Sequence, residues 1–223
     1  MKVGCVMLAS PGREAFRYLA VECFDSQTYT GGLRLLTLPA DPAQTIGAMR
    51  NYANSLLTDC DIVCHWDDDD WSHPNRIAEQ VALLQATGAD CVGYNEMLFW
   101  RGVEQGPNYP GEAWLYSNPN PRYALGTSLC YWRRAWNALL FPDLQHGEDT
   151  EWLKGVNCHA ISAVPVYVRC PNDPPMVARI HSGNSSSAYD RAEMVRHNAL
   201  PAAERQWVRA WGYDNFCREV MEC

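Results

Sequence analysis

The residues best placed to do chemistry are four consecutive carboxylates, Asp67-Asp68-Asp69-Asp70. Adjacent carboxylates repel one another, so holding them together costs free energy unless a cation or a basic partner offsets the charge. Side chains alternate along an extended segment, which turns Asp67 and Asp69 the same way and lets them converge on one ion. Hard oxygen ligands select Mg²⁺, Mn²⁺ or Ca²⁺. The alternative is a solvated acidic loop, but the apolar run from Asp61 to Trp66 directly before the quartet favours a metal. Glu148-Asp149 falls where a helix begins, a position that acids also take to complement the helix dipole. His181, ahead of Gly183-Asn184-Ser185, suits either a structural contact or a third metal ligand. Arg13 and Arg50-Asn51 suit phosphate or base-edge recognition, or equally the charged surface of an amphipathic helix.

The elements that must position these residues alternate through the first hundred positions. Lys2 to Ala9 is an apolar run of strand length stopped by Pro11-Gly12. Arg13 to Gln27 carries Phe16, Leu19, Ala20, Cys23 and Phe24 at helical spacing. Leu33 to Leu38 reads as a second strand, and Asp41-Pro42 as an N-cap with proline at the first helical position. Asp61 to Trp66 is a third strand, Pro74 opens a further helix, and Asp90 to Tyr94 is a fourth strand. This alternation predicts an open, mostly parallel sheet with helices on its faces. Ligands bind such sheets outside the carboxyl ends of the strands, which places Ser10 to Arg13, Leu38 to Asp41 and Asp67 to Asp70 on one rim. The second half is less regular. Gly102 to Arg122 reads as a long loop, Leu125 to Trp132 as a strand, and Arg133 to Leu140 as a short helix. Val164 to Arg169 and Val177 to His181 read as strands, and Asp190 to Trp211 as a helix broken near Pro201.

Composition bounds the reading. The 223 residues are 47% hydrophobic and 20% charged, which excludes disordered, collagen-like and coiled-coil chains and predicts one domain with a sizeable core. The net charge of −8 disfavours broad binding to nucleic acid or an anionic membrane. No transmembrane segment or signal peptide is expected. Ten cysteines occur singly with no Cys-x-x-Cys pattern, as expected of reduced thiols in a cytoplasmic protein.

Taken together, these residues resemble the family-2 glycosyltransferases of the GT-A fold, over positions 3 to about 185. The carrying residues are Ala9-Ser10-Pro11-Gly12-Arg13, Ser26-Gln27-Thr28-Tyr29, Asp41, Arg50-Asn51 and Asp67-Asp68-Asp69-Asp70-Trp71 with Pro74 and Arg76. Gly126-Thr127-Ser128 with Arg133-Arg134, then Glu148-Asp149 and His181, complete the order. Two positions depart from the family pattern: Gly12 stands where asparagine is usual, and Pro39-Ala40-Asp41 replaces a longer acidic run.

The resemblance implies an α/β, Rossmann-like single domain with a mostly parallel central sheet flanked by helices. Residues 1–100 would form the nucleotide-sugar half, 101–189 an irregular acceptor half and 190–223 C-terminal helices. It implies a metal-dependent inverting hexosyltransferase using Mn²⁺ or Mg²⁺ and a nucleotide-sugar, UDP-sugar first. Asp67, Asp69 and His181 would hold the ion. Pro11, Arg13, Asp41, Arg50, Asn51, Asp67 and Asp68 would hold the donor, and Asp149 would act as base with Glu148 orienting the acceptor. The acceptor could be a glycan, protein, lipid head group or modified DNA base. The rival expectations are a silent nucleotide- or carbohydrate-binding module on the same fold, and a sugar-phosphate nucleotidyltransferase.

Overall fold

The computed structural model describes residues 1–101, 112–118, 120–161, 175–181 and 184. In chain order its elements are β1 (Lys2–Ala9), α1 (Glu14–Asp25), β2 (Gly32–Pro39), α2 (Ile46–Leu56), β3 (Ile62–His65), β4 (Trp71–Ser72), α3 (Arg76–Thr87), β5 (Cys91–Tyr94), β6 (Glu96–Arg101) and β7 (Glu112–Ser117). A 3₁₀ turn (Gly126–Ser128), β8 (Cys130–Trp132), α4 (Arg133–Ala138), α5 (Glu148–Leu153), β9 (Cys158–Ile161) and β10 (Met176–Ile180) follow.

Two sheets organise them. The larger runs β2-β1-β3-β8-β5-β9, with β8 antiparallel between β3 and β5 and the other described pairings parallel. The smaller runs β4-β10-β6-β7. Alternate residues of each central strand enter opposite cores, because successive side chains point to opposite faces. Val3, Cys5 and Met7 join Ile62, Cys64 and Trp66 on one face, while Val6 joins Val63, Leu129 and Tyr131 on the other. Helices cover both faces, so β1 from Val3 onward and β3 from Ile62 to Cys64 are continuous apolar runs rather than alternating ones. The seven cysteines among the described residues are buried thiols, acting as small core side chains.

The mostly parallel sheet and β1, β2, β3 and β5 agree with the sequence expectation, whereas β4 is not expected from the sequence. Three local readings change. Asp41 does not cap α2: the cap is Thr45, whose hydroxyl accepts from Ala48 N at 3.1 Å. Asp41 instead closes a turn of its own, accepting from Ala43 N at 2.9 Å and from Gln44 Nε2 at 3.0 Å. The stretch read as a loop from Gly102 to Arg122 contains β7, because Glu112–Ser117 pairs along the whole of β6. The strand expected from Leu125 to Trp132 begins only at Cys130; Gly126–Ser128 winds into the 3₁₀ turn. The expected strand at Val164 to Arg169 and the helix at Asp190 to Trp211 lie outside the described residues.

Candidate active site

The acidic quartet stands where β3 ends. Trp66 N still donates to Val6 O at 2.9 Å, so the sheet holds the chain up to the first aspartate. Arg76 of α3 then fastens the turn from below. Its side chain is buried, with 1% of the residue exposed, and donates to His65 O and Thr127 O at 2.9 and 3.0 Å and to Ser72 Oγ at 2.9 Å. Its guanidinium also lies over the Trp66 ring, 4.9 Å from the centroid.

The four carboxylates divide their work. Asp68 accepts from Ser10 N at 2.7 Å and Arg13 Nη1 at 3.0 Å, which tie the end of β1 to the end of β3. Asp70 accepts from Thr127 Oγ1 and from Arg179 N at 3.0 Å, which tie it to the 3₁₀ turn and to β10. Asp69 Oδ2 receives Arg13 Nη1 at 2.8 Å, His181 Nε2 at 2.8 Å and Asn184 Nδ2 at 3.4 Å. Asp67 is the partly exposed member. Burial pushes its carboxyl up to about 6 against the pull of Arg50, with Asp69 and Asp68 adding to the rise. Protein donors thus carry much of the charge compensation that the sequence alone assigns to a cation. Ligand atoms of Asp67, Asp69 and Asp70 still lie within 4.8 Å of one another, an all-oxygen group of the kind hard cations take.

Facing the quartet across a cleft of about 910 Å³ is the start of α5. Glu148 is buried and accepts from Arg50 Nε at 2.9 Å. Burial opposes the charge on Arg50, but Glu148 and Asp67 outweigh it and raise the guanidinium above its ordinary value. Asp149 Oδ1 accepts from Thr150 N at 2.6 Å, and its Oδ2 packs against Gly126.

Of the residues singled out in the sequence, Pro11, Arg13, Asp41, Arg50, Asp67, Asp68, Asp69, Glu148 and Asp149 line this one cleft. Asn51 and His181 do not. Asn51 faces the segment after α4, donating to Phe141 O at 2.8 Å and accepting from Trp136 Nε1 and Phe141 N. Thr127, Arg179 and Asn184 join the cleft with no site role expected of them, and Asp70, expected on the rim with the rest of the quartet, lines it too. The polar run Gly183-Asn184-Ser185 after His181 is the sequence signal that pointed to Asn184. Nothing local marks Arg179, which reads as an ordinary strand residue. The apolar wall is Phe99, Tyr123, Leu125 and Ile180.

No protein-family model matches the sequence, and neither does any curated protein. Solved structures do. S. aureus TarS 1–349 in complex with UDP-GlcNAc superposes at a TM-score of 0.58 and 14% identity, covering 96% of this chain and 72% of that one. In the complex of TarS 1–349 with UDP the match covers 81% of this chain and 61% of that one, and against the longer TarS chain it covers 49%, so the chain spans about half to three fifths of these relatives. The mannosyltransferase PcManGT from Pyrobaculum calidifontis, with GDP-Man and Mn²⁺, superposes at 0.55 and 11% identity over 99% of this chain and 74% of its own. The chain has the GT-A glycosyltransferase fold.

Proposed function

We propose that this GT-A chain is an inverting glycosyltransferase that moves a hexose from a nucleotide-sugar, a UDP-sugar first, to an acceptor hydroxyl. The observation that carries the reading is convergence. One cleft at the strand ends brings together two carboxylates able to hold a divalent ion, two arginines suited to a diphosphate, and one further carboxylate facing them. The donors of the similar structures, UDP-GlcNAc and GDP-Man, support the substrate class.

Mn²⁺ or Mg²⁺ fits the residues present: Asp67 and Asp69 offer hard oxygens, and among the described residues Arg13, His181 and Asn184 all reach Asp69 at Oδ2. Such an ion supplies charge neutralisation for the departing diphosphate. The chain's own groups do the rest. Arg50, held by Glu148, and Arg13 present positive charge to the donor. Pro11 and the Asp41 turn border the end of the cleft nearest β1 and β2, where the base is held still. Asp149 takes the proton of the attacking hydroxyl. A single base with in-line attack inverts the anomeric centre. Glu148 serves through Arg50 rather than through the acceptor.

Incubation of the full chain with UDP-, GDP- and dTDP-sugars, with and without Mn²⁺, tests this. Ion-dependent release of a nucleoside diphosphate is the expected product. Conversion of the nucleotide-sugar to nucleoside triphosphate and sugar 1-phosphate when inorganic diphosphate is added would point to a nucleotidyltransferase, and tight binding with no turnover to a binding module. Either result overturns the proposal.

A further inference from the structure

The 3₁₀ turn is a ledge between the quartet and α5, and its backbone is held from beneath. On its cleft side Thr127 donates to Asp70, and Asp149 Oδ2 packs against Gly126. Four successive carbonyls fasten the ledge. Gly126 O accepts from His65 Nδ1 at 2.7 Å, Thr127 O from Arg76 at 3.0 Å, Ser128 O from Gln80 Nε2 at 2.7 Å, and Leu129 O from His65 N at 2.8 Å. His65, the last residue of β3, therefore grips the ledge at both ends. A carbonyl only accepts, so Nδ1 is a ring nitrogen that carries a proton.

The far side of the ring makes no hydrogen bond. His65 is 1% exposed and packs against Tyr131 and Phe141, with ring centroids 5.6 and 5.5 Å away, and its Nε2 has no partner among the described residues. A buried polar atom without a partner costs about 1–3 kcal/mol. Phenylalanine or leucine would fill this space without that cost, so what the imidazole adds is its bond to Gly126 O. The effect reaches the cleft through Gly126: a Cβ there would stand 2.0 Å from Asp149 Oδ2, so the carboxylate rests directly on this residue. We propose that His65 is a positioning residue for the transfer, whose Nδ1–H holds the Gly126 carbonyl and so fixes the ledge that sets Asp149 against the acceptor hydroxyl. This rests on the proposed role of Asp149 as base. His65 itself is not among the cleft-lining residues. It touches neither donor nor acceptor and transfers no proton; one N–H held in place is its contribution.

The test uses the full chain with His65→Phe, which keeps a ring and removes the donor, and His65→Asn, whose amide nitrogen can donate from the position of Nδ1. His65→Leu, smaller and equally without a donor, gives a second reading of the same loss. Rates are referred to the number of sites counted by titration with UDP and Mn²⁺, so unfolded protein does not enter. In His65→Phe, kcat should fall about tenfold to a hundredfold with the donor KM unchanged, and His65→Asn should recover most of it. Unchanged kcat without the donor, equal losses in His65→Phe and His65→Asn, or a donor KM that rises with the loss would each overturn the inference, because the ring would then be filler or a support of the whole cleft. The ¹⁵N spectrum of the histidine rings in the unmodified chain needs no turnover. The ring signal missing from His65→Phe should show a proton on Nδ1; a proton on Nε2 alone overturns the inference and leaves the proposed base standing. An unmodified chain that releases no nucleoside diphosphate overturns the proposed function, and the inference with it.

Discussion

Asp149 and Gly126 form a pair whose geometry makes the base assignment testable from both sides. A Cβ built on Gly126 would stand 2.0 Å from Asp149 Oδ2 and 2.8 Å from its Cγ. The carboxylate can swing away, so Gly126→Ala should leave the thermal midpoint nearly unchanged while displacing the base. Steady-state kinetics should then show kcat reduced by about a hundredfold with the donor KM little altered. Asp149→Asn removes the proton acceptor altogether and should reduce kcat by roughly 10²–10⁴-fold; near-normal turnover would discard the assignment. Asp67 carries a different cost. Its carboxyl is raised from 3.8 to about 6, so the folded protein binds that proton more tightly than the unfolded chain does. Stability therefore falls as pH rises through that window, and above it the ionised group destabilises the ion-free fold. Asp67→Asn should raise the unfolding free energy of the ion-free protein at pH 7 by about 1–2 kcal/mol after discounting for its solvent contact. The gain should shrink towards pH 4, and Mn²⁺ binding should be lost. A variant less stable than its parent at pH 7 would show that the charge is already compensated.

Between the elements, α2 and the segment before α5 behave as one unit. Gly47 N donates to Leu144 O at 3.1 Å, and a Cβ on Gly47 would fall 1.9 Å from Pro142 O, so only glycine permits this approach. Thr45, the cap of α2, also donates to Asp143. Three hydrogen bonds to the Asn51 amide complete the dock. The dock sets Arg50 against Glu148 and thereby places the first turn of α5 over the cleft. Asn51→Ala leaves Trp136 Nε1 and the Phe141 backbone without partners, and should cost about 1–3 kcal/mol in denaturant unfolding. The donor KM of the folded fraction should stay unchanged. A raised donor KM at full stability would return Asn51 to the nucleotide contacts expected from its sequence.

At the scale of the whole molecule, the cleft gathers the ends of β1, β3 and β10 with the 3₁₀ turn and α5, so occupancy should stabilise the entire fold. A donor present at about 100 times its dissociation constant adds about 2.7 kcal/mol. For a chain of 223 residues, with about 2–4 °C per kcal/mol, that is a rise of roughly 5–10 °C in the midpoint. UDP with Mn²⁺ should give this shift in a thermal melt, and EDTA should abolish it; a shift indifferent to EDTA would argue against a bridging ion. Among the described residues no helix is long and apolar enough to cross a membrane. Residue order alone determined the alternating strands and helices, the rim on which the quartet sits, and nine of the residues that line the cleft, because hydrophobic periodicity and strand-end position are local properties. Local pattern misplaced the α2 cap, since Asp41-Pro42 and Thr45 both suit a cap and the packing of α2 on Pro142 to Leu144 favours the later one. Only tertiary structure decided which carboxylates are tethered, that Asn51 turns to the segment after α4, and that His181 meets the quartet at Asp69 Oδ2. Those outcomes depend on donors such as Arg13, 56 positions from Asp69, and His181, 112 positions away. Partners that distant meet only once the sheet has formed, and no spacing rule along the chain encodes which oxygen each will take.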